Sequence, residues 1–259
     1  MAKQARGERT RNALVRAAAE VFDRAGYERA NLTTISETAG VTKGALSFHF
    51  AHKEELARAV QELACARSRT AFEALNRRDT PAVQTLIDIT HALTEQLRSS
   101  ATVRAGLRLS GERGDTDPAL DCSRIWLDAM CQALQRDRAD RSIAPGADTP
   151  AVAALALAMT TGMQVLVRGN GPVPPSGQRS GVQGPPRQWL TRFWTLLLPQ
   201  VASLDHLHAL LPGGSLLVTA GPDPGARSTP PYPGEWYEPT PVESVPGAPW
   251  WRSVTRNAP

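Results

Sequence analysis

The stretch "TISETAGVTKGALSFHFAHKEEL", residues 34–56, decides the fold. Thr34 and Glu37 have the spacing of a capping box, which predicts the start of a short helix. Gly40 ends that helix after about six residues, because glycine accepts the left-handed conformation that closes a helix. Thr42 then caps the next helix. The stretch therefore predicts two short helices joined by a tight turn.

The second short helix carries Leu46 and Phe50 on the side that faces back into a small core. Gly44 removes a side chain from its leading end, so that its backbone can come close to a surface. Thr42 and Lys43 lie at its N-terminus, where free N–H groups and the helix dipole favour phosphate. These features favour a helix aimed at nucleic acid over an ordinary loop between surface helices.

Longer helices flank this pair. In front of it, apolar residues recur at helical spacing until Gly26, which is placed as a stop. Behind it, a fourth helix runs from Lys53 to about Leu75. The apolar faces contain Leu14, Ala18, Val21, Phe22 and Ala25 in front, and Leu56, Val60 and Leu63 behind. The arrangement is a helix-turn-helix unit, which suits the major groove of DNA but also occurs in proteins that never touch DNA.

The composition is that of a core-forming protein, with 259 residues, 41% hydrophobic and 21% charged. No apolar run approaches the roughly 18 residues of a membrane span, and the N-terminus lacks the apolar core of a signal peptide, so we expect a cytoplasmic protein. The cysteines follow no C-x-x-C spacing and the histidines lack ligand partners, so we expect no metal and no cofactor. We expect buried, reduced thiols at Cys65, Cys122 and Cys131.

The net charge of +4 is concentrated locally. Residues 1–19 contain one acid, Glu8, and five basic side chains, namely Lys3, Arg6, Arg9, Arg11 and Arg16. A basic arm of this kind is either a solvated helix end or a contact with a polyanion. The helix-turn-helix pattern that follows favours the polyanion.

The second half of the chain has further helix starts. Thr80-Pro81, Asp117-Pro118 and Thr149-Pro150 each place a capping residue before a proline at the first helical position. The helix after Thr149-Pro150 is apolar almost all round, which predicts a central position or an interface. The apolar face of the helix after Thr80-Pro81 contains Leu86, Ile89, Leu93 and Leu97.

A last helix extends roughly over residues 187–203, which completes a bundle of about six helices. Its apolar side is predicted to contain Trp189, Phe193, Leu197 and Val201. The connection Gly169–Pro186 is rich in Gly and Pro and too irregular to pack. The Pro-rich tail holds Trp236, Trp250 and Trp251, and is either disordered or docks through "EWYEP" and "PWWR".

The N-terminal pattern resembles a known family. The stretch "AAAEVFDRAGYERANLTTISETAGVTKGALSFHFAHKEELARAV", residues 17–60, is similar to the DNA-binding domain of the TetR family of bacterial repressors. The family phrase A-G-V-(T/S)-K-G-x-(L/F)-Y-x-(H/Y)-F-x-x-K-E-x-L is matched except at Ser47, where the family usually has Tyr. The resemblance implies an all-α fold with a three-helix helix-turn-helix head at residues 8–68. It also implies a helical bundle for ligand binding and dimerisation at 69–212. The resemblance does not cover residues 213–259, where the Pro-rich composition predicts a disordered tail.

The resemblance and the basic arm together give a predicted DNA surface. The absent Tyr at Ser47 removes one phosphate contact, which affects DNA affinity and leaves the fold unchanged. The predicted DNA-binding residues are Arg6, Arg9, Thr33, Thr42, Lys43, Gly44, Ala45, Ser47, His49 and Lys53.

The bundle resembles one branch of that family, the γ-butyrolactone receptors and pseudo-receptors of actinomycetes. The matching phrases are "VRAGLRL" at 103–109, "RIWLDAM" at 124–130, "TTGMQ" at 160–164 and "WTLLLPQV" at 194–201. The resemblance implies that Trp126 walls an acyl-lactone pocket. A tryptophan on a helix is otherwise more often core packing. The predicted ligand-binding residues are Leu86, Val103, Leu107, Trp126, Met130, Thr161 and Gln164.

Together these features predict a homodimeric transcriptional repressor that binds double-stranded, pseudo-palindromic operator DNA. A small hydrophobic effector of the lactone type would release it, with the fourth helix transmitting the change. Pseudo-receptors share this outline but respond to antibiotics or biosynthetic intermediates. An α-helical enzyme acting on a small lactone is the competing class, but the sequence holds no catalytic constellation with motif support, so we expect no enzyme.

Overall fold

The structure, a computed structural model, describes residues 2–76, 79–113, 117–136, 141–167 and 185–215, without the side chains of 2–4 and 165–167. The chain divides into two units, residues 1–220 and 221–259, and every described residue belongs to the first. The connection at 169–186 lies outside the described residues except for its last two positions. The tail tryptophans also lie outside them.

All regular elements in the described ranges are helical, which confirms the predicted all-α fold. A 3₁₀ turn at Pro118–Leu120 precedes α7, and one isolated β-bridge joins Ile143 to Ala202. No helix in these ranges is long and apolar enough to cross a membrane. The helices are α1 (Ala2–Arg29), α2 (Leu32–Ala39), α3 (Lys43–His49), α4 (Lys53–Asn76), α5 (Ala82–Ser99), α6 (Ala101–Arg113), α7 (Cys122–Gln135), α8 (Thr149–Val167), α9 (Pro186–Val201) and α10 (Leu204–Leu207).

The first helices enclose a small hydrophobic core, which we call the head core. It is formed by buried residues of α1 to α4, and two residues of α6, Ala105 and Leu109, also belong to it. Phe22, Ile35 and Leu46 are each at most 1% exposed. Because α2 and α3 are too short to be stable alone, their burial in this core is what holds them helical.

The N-terminus of α2 differs from the capping-box prediction. Asn31 is extended (φ −129°, ψ 152°) and its Oδ1 accepts the N–H of Thr34 at 2.8 Å. This is the conformation and contact of an N-cap, so α2 begins at Leu32 and has eight residues. The prediction that Thr34 caps the helix is therefore wrong, because the helix already begins at Leu32 with Asn31 as its cap.

The turn between α2 and α3 depends on Gly40, which has a φ of 67° and a ψ of 33°. Its N–H donates to the carbonyl of Glu37, and the N–H of Val41 donates to the carbonyl of Ser36, each at 3.0 Å. A Cβ on Gly40 would meet nothing within 4 Å. The left-handed backbone alone therefore favours glycine here.

Gly26 interrupts α1 as predicted, with φ 80° and ψ 174°, although helical residues resume as far as Arg29. A Cβ at this position would lie 2.5 Å from Nη2 of Arg108. The left-handed backbone conformation therefore favours glycine here, while the arginine end of α6 could move to admit a Cβ.

The bundle is built around α5. Every residue from 82 to 94 is buried, and the surrounding helices are α4, α7, α8 and α9. The apolar residues of α5 belong to a second hydrophobic cluster, the bundle core, with Trp126 and Trp194 at 0% exposure. A central position or an interface was predicted for α8; α8 leaves Leu155 45% exposed, and the central helix is α5.

The buried polar residues of α5 bind the segment 211–215. Gln84 Oε1 accepts the N–H of Leu211 at 2.7 Å. Asp88 accepts the N–H of Ser215 at 2.7 Å and its hydroxyl at 2.6 Å. These contacts satisfy a carboxylate that is 0% exposed, and they hold the end of the described chain against the bundle.

Some predicted helix starts are displaced by a few residues. Thr80 bonds the hydroxyl of Thr85 and does not cap, since α5 begins at Ala82. Asp117 caps the 3₁₀ turn, and Asp121 caps α7. A further cap, Asp148, precedes α8. The prediction is therefore correct for Asp117 and its 3₁₀ turn, and it misses the capping residue of the α-helices α5, α7 and α8.

The predicted buried face of α9 is correct at Val201 and wrong at the other three residues. Trp189, Phe193 and Leu197 are only partly buried. The fully buried side is shifted by one residue, because α9 docks on α5 through Trp194 and not through Phe193. It contains Leu190, Trp194, Leu198 and Val201.

Helix α6 packs against both α1 and α4 and so joins the head to the bundle. Arg104 Nε and Nη2 each lie 2.8 Å from Oδ2 of Asp23, and both side chains are largely buried. Arg108 Nη1 donates to the carbonyls of Asp23 and Arg24, and Glu112 accepts the N–H of Tyr27 at 2.6 Å. The last turn of α1 is thereby held by charged side chains of α6.

Candidate DNA-binding surface and ligand core

The face of α3 that points away from the head core is exposed to solvent. Thr42, Lys43, Gly44 and Ser47 are all exposed. Thr42 Oγ1 accepts the N–H of Ala45 at 3.2 Å and so caps the helix, as predicted. The burial of Leu46 and Phe50 fixes the rotation of α3 and turns these residues outward.

The start of α1 lies beside the end of α3. A Cβ on Gly7 would be 3.9 Å from Cε1 of His49, which brings the two helix ends together. Arg6 and Arg9 are exposed, and Arg9 Nε donates to the carbonyl of Ala5 at 3.2 Å. The predicted basic arm is therefore a helical turn next to α3.

Three other predicted DNA residues have less exposed positions. Thr33 and Ala45 are partly buried at the starts of their helices. The Lys53 ammonium donates to the carbonyls of Tyr27, Glu28 and Ala30 at 2.8–3.3 Å. It also lies 4.4 Å from the Tyr27 ring centroid. These contacts hold the chain between α1 and α2, so the ammonium is directed into the head and away from the α3 face.

Phe48 is the residue of this surface that the sequence reasoning missed. It is 84% exposed, beside Ser47 on the outer face of α3, and its ring lies edge-on to His49 at 5.2 Å. A single exposed apolar side chain is common, so its place on the same face as Lys43 and Ser47 is what makes it notable. The sequence contained the signal. Phe48 lies two residues from each of the core positions Leu46 and Phe50, and on a helix this spacing points a side chain away from the core.

The structure brings most of the predicted ligand residues into one cluster. Leu86, Val103, Trp126 and Met130 are all 0% exposed and belong to the bundle core. Leu107 is partly buried and packs against the same cluster. These residues come from α5, α6 and α7, whose packing places them together although they are far apart in sequence.

Trp126 differs from the other buried tryptophan in its hydrogen bonding. The indole Nε1 of Trp194 donates to Thr90 Oγ1 at 2.9 Å. In the described part of the chain, Nε1 of Trp126 has no acceptor, although it is buried. A buried donor without a partner carries a desolvation penalty of about 1–3 kcal/mol. The indole is therefore poised to donate to an oxygen atom that enters the core.

On α8, the residues that face the bundle core are not the predicted ligand residues Thr161 and Gln164 but their neighbours. Ala153, Ala156, Thr160 and Met163 are buried, whereas Thr161 and Gln164 are partly buried. The Thr161 hydroxyl donates to the carbonyl of Leu157 at 2.9 Å, within its own helix. The polar group of α8 that is turned fully inward is Thr160, one residue earlier.

No group of three His, Cys, Asp or Glu side chains within the described ranges has the geometry to hold a metal ion. The buried His91 makes a hydrogen bond within the fold. Its Nε2 pairs with the carbonyl of Pro212 at 2.9 Å, and burial lowers the pKa of the ring. The neutral ring therefore belongs to the contact between α5 and the segment 211–215.

Comparison with known proteins identifies the family to which the chain belongs. Residues 14–60 match the family model described as bacterial regulatory proteins, tetR family. The A-factor receptor protein of Streptomyces griseus is 33% identical over 223 residues, which cover 85% of this chain and 74% of the relative.

Solved structures agree with this assignment. The crystal structure of a γ-butyrolactone receptor, an ArpA-like protein, superposes with a TM-score of 0.66 at 27% identity, covering 79% of this chain and 94% of that one. CprB of Streptomyces coelicolor, in complex with its operator sequence, gives a TM-score of 0.64 at 28% identity, with coverage of 79% and 94%. The likeness thus extends through the head and the bundle.

Proposed function

The chain belongs to the TetR family of bacterial regulatory proteins, and from this premise we propose a repressor that leaves its operator when a lactone binds in the bundle core. The unpaired Nε1 of Trp126 is the observation that carries the ligand part of this proposal. Membership in this family of regulators makes the protein a transcription regulator and not an enzyme. We place it in the cytoplasm, where its operator is.

The exposed face of α3 supports the DNA part of the proposal. We propose that Lys43 reaches a base edge or phosphate from the N-terminus of α3, where the helix dipole also favours an anion. Thr42, Gly44 and Ser47 line the same face, and Arg6 and Arg9 add sequence-independent attraction to phosphate. We assign Lys53 a structural part, because its ammonium is already bonded to three carbonyls.

A homodimer is the form in which two such heads fit one operator. Two-fold symmetry places two recognition helices about one DNA turn apart on a pseudo-palindromic site. Helices α8 and α9 pack on each other and leave Leu155 45% and Leu196 74% exposed. Large apolar side chains exposed on neighbouring helices are typical of a subunit interface, so we propose that the second copy packs here.

The ligand is proposed to be an acylated γ-butyrolactone. The apolar residues around Trp126 fit an acyl chain. The Nε1–H of Trp126 is a hydrogen-bond donor, and a lactone oxygen is an acceptor that it can bind. The γ-butyrolactone receptors among the similar proteins favour a lactone over an antibiotic. Among α8 residues, Thr160 and Met163 face inward, and Thr161 and Gln164 lie beside them.

Helix α6 supplies a route from ligand to head, in addition to α4. Val103 and Leu107 face the bundle core, whereas the adjacent Arg104 and Arg108 bind the end of α1. A ligand that displaces Val103 must therefore also displace the contacts of the head. To convert a 1:99 mixture of two arrangements to 99:1, the ligand must bind one of them about 10⁴-fold more tightly.

The first test of this proposal concerns the α3 face. The Lys43→Ala protein is expected to bind operator DNA more weakly by about 1–3 kcal/mol if the ammonium reaches a base edge. Replacement of Arg6 and Arg9 by Ala should instead weaken binding to every DNA and flatten its salt dependence. Fluorescence anisotropy with the upstream region of the protein's own gene and with unrelated DNA measures both. Unchanged operator affinity in Lys43→Ala would remove this residue from the interface.

A further inference from the structure

Two cysteines meet where the head joins the bundle. Sγ of Cys65 and Sγ of Cys122 lie 3.3 Å apart, although the residues are 57 positions apart in the chain. Cys65 is on α4 and Cys122 is the first residue of α7. Both are free thiols and are 1% and 0% exposed. The described contacts thus include a close dithiol pair that the proposed regulatory function does not use.

The surroundings hold this pair in place. The N–H of Cys122 donates to Ser110 Oγ at 3.1 Å, which fixes the start of α7. Gly106 of α6 lies against both helices, since a Cβ there would be 2.5 Å from Cβ of Ala64 and 3.0 Å from Sγ of Cys122. Helices α4, α6 and α7 therefore meet at one tightly packed junction around the two sulfurs.

The two thiols differ in their readiness to lose a proton. A hydrogen bond from the thiol of Cys122 lowers the pKa of Cys65, against the effect of burial. The same bond, together with burial, raises the pKa of Cys122. The 3.3 Å separation places the Cys122 sulfur to attack Cys65 once Cys65 has been oxidised.

We propose that Cys65 and Cys122 form a reversible disulfide when the cell meets peroxide. The Cys65 thiol gives up its proton and its sulfur attacks a peroxide oxygen. The O–O bond breaks, the departing hydroxide takes up that proton, and a sulfenic acid and one water form. The Cys122 sulfur then attacks the sulfenic sulfur and expels a second water, which leaves the S–S bond. The sulfurs must approach by about 1.3 Å from the observed 3.3 Å to reach bonding distance. Cellular dithiols restore the pair by exchange.

The bond would tie α4, which carries the head, to α7, which carries Trp126 one turn after Cys122. This consequence rests on the proposed function. By holding α4 and α7 together at the two sulfurs, the link restrains the junction and so opposes a movement of α7 against α4 caused by a ligand in the bundle core. The oxidised protein thus keeps its operator and responds less to the lactone.

The test uses the full chain with Cys131→Ser, which removes the third and more accessible thiol. After treatment with hydrogen peroxide, peptide mapping is expected to find one intramolecular Cys65–Cys122 link, with the loss of two hydrogens, reversed by dithiothreitol. Thermal unfolding should shift upward by roughly 5–10 °C, because the link closes a long loop. The matched controls, Cys65→Ala and Cys122→Ala in the same background, should show neither change.

The second part of the test measures how much acylated γ-butyrolactone is needed to release the protein from operator DNA. Oxidation should raise the lactone concentration for half release about tenfold, with operator affinity unchanged. A link with unchanged release would overturn the regulatory role, and the absence of the linked peptide or a link only between subunits would overturn the site itself. Failure of the reduced protein to bind DNA or to respond would instead count against the proposed function, while the mapping still decides the disulfide.

Discussion

The Trp126→Phe protein is expected to bind operator DNA like the parent and to need at least about tenfold more acylated γ-butyrolactone for release. Phenylalanine keeps an aromatic wall but lacks the N–H that the structure leaves without an acceptor. Because no hydrogen bond is lost in the free protein, the free energy of unfolding should fall only by the cost of the smaller ring. Lactone titration of the protein–operator complex and thermal unfolding measure the two effects.

Trp194→Phe is the matched control. Both tryptophans are 0% exposed, but Nε1 of Trp194 donates to Thr90 Oγ1 at 2.9 Å. The control should lose about 1–3 kcal/mol more stability than Trp126→Phe and keep its lactone response. Equal lactone responses in the two variants would reduce Trp126 to core packing. Trp126→Ala is less informative, because full burial predicts a loss of about 3–5 kcal/mol in stability, whatever the role in binding.

The second large effect is expected at the contact between α6 and α1. Arg104→Ala should lower the free energy of unfolding by about 3 kcal/mol, since it removes the ion pair that Arg104 makes with the largely buried Asp23. The side chains of Arg104 and Asp23 are 15% and 12% exposed, so solvent screens the pair only weakly. The variant should also release operator DNA at lower lactone concentration, because fewer contacts hold the head in place. Denaturant unfolding and lactone titration check these expectations.

Arg98→Ala provides the control for that variant. Arg98 lies nearby on α5, is 60% exposed and pairs with Glu95 on its own helix. Such surface pairs contribute little, so its stability should change by less than about 1 kcal/mol. In a double-mutant cycle, Asp23→Ala and Arg104→Ala should couple by about 1–3 kcal/mol. Additive effects would show that the pair does not join α6 to the head.

The head was predictable because its information is local. The turn at Gly40, the cap at Thr42 and the inward position of Leu46 each depend on residues within one or two helical turns. The structure has the predicted turn and the predicted cap. The capping box failed because Asn31, three residues before Thr34, caps the helix by accepting the N–H of Thr34, so the helix starts one turn earlier. Local patterns find a helix more reliably than they find its first residue.

The bundle was less predictable because its contacts are not local. The face of α9 was misassigned since apolar residues occur on both sides of it, and only packing on α5 selects Trp194 over Phe193. Arg104 and Asp23 are 81 positions apart, and no sequence pattern links them. The pairing of Cys65 with Cys122 is likewise a product of how α4 and α7 pack.

The ligand residues came from family resemblance and not from pattern. The sequence alone gave Trp126 as core, and the structure adds that its N–H lacks a partner. Thr161 shows the limit of transferring a motif, because the helix turns Thr160 inward and leaves the Thr161 hydroxyl bonded to Leu157. A rotation of one residue about a helix axis changes which hydroxyl faces the core.

The most direct test of the central claim is an operator-binding titration of the reduced protein with and without an acylated γ-butyrolactone. Fluorescence anisotropy on the upstream region of its own gene is predicted to give two chains per site and a Kd of roughly 10⁻⁸ M or tighter. Addition of the lactone should return the DNA to its free anisotropy, while binding to unrelated DNA stays weak throughout. Tight operator binding that the lactone leaves unchanged, or no preference for the operator at all, would contradict the account.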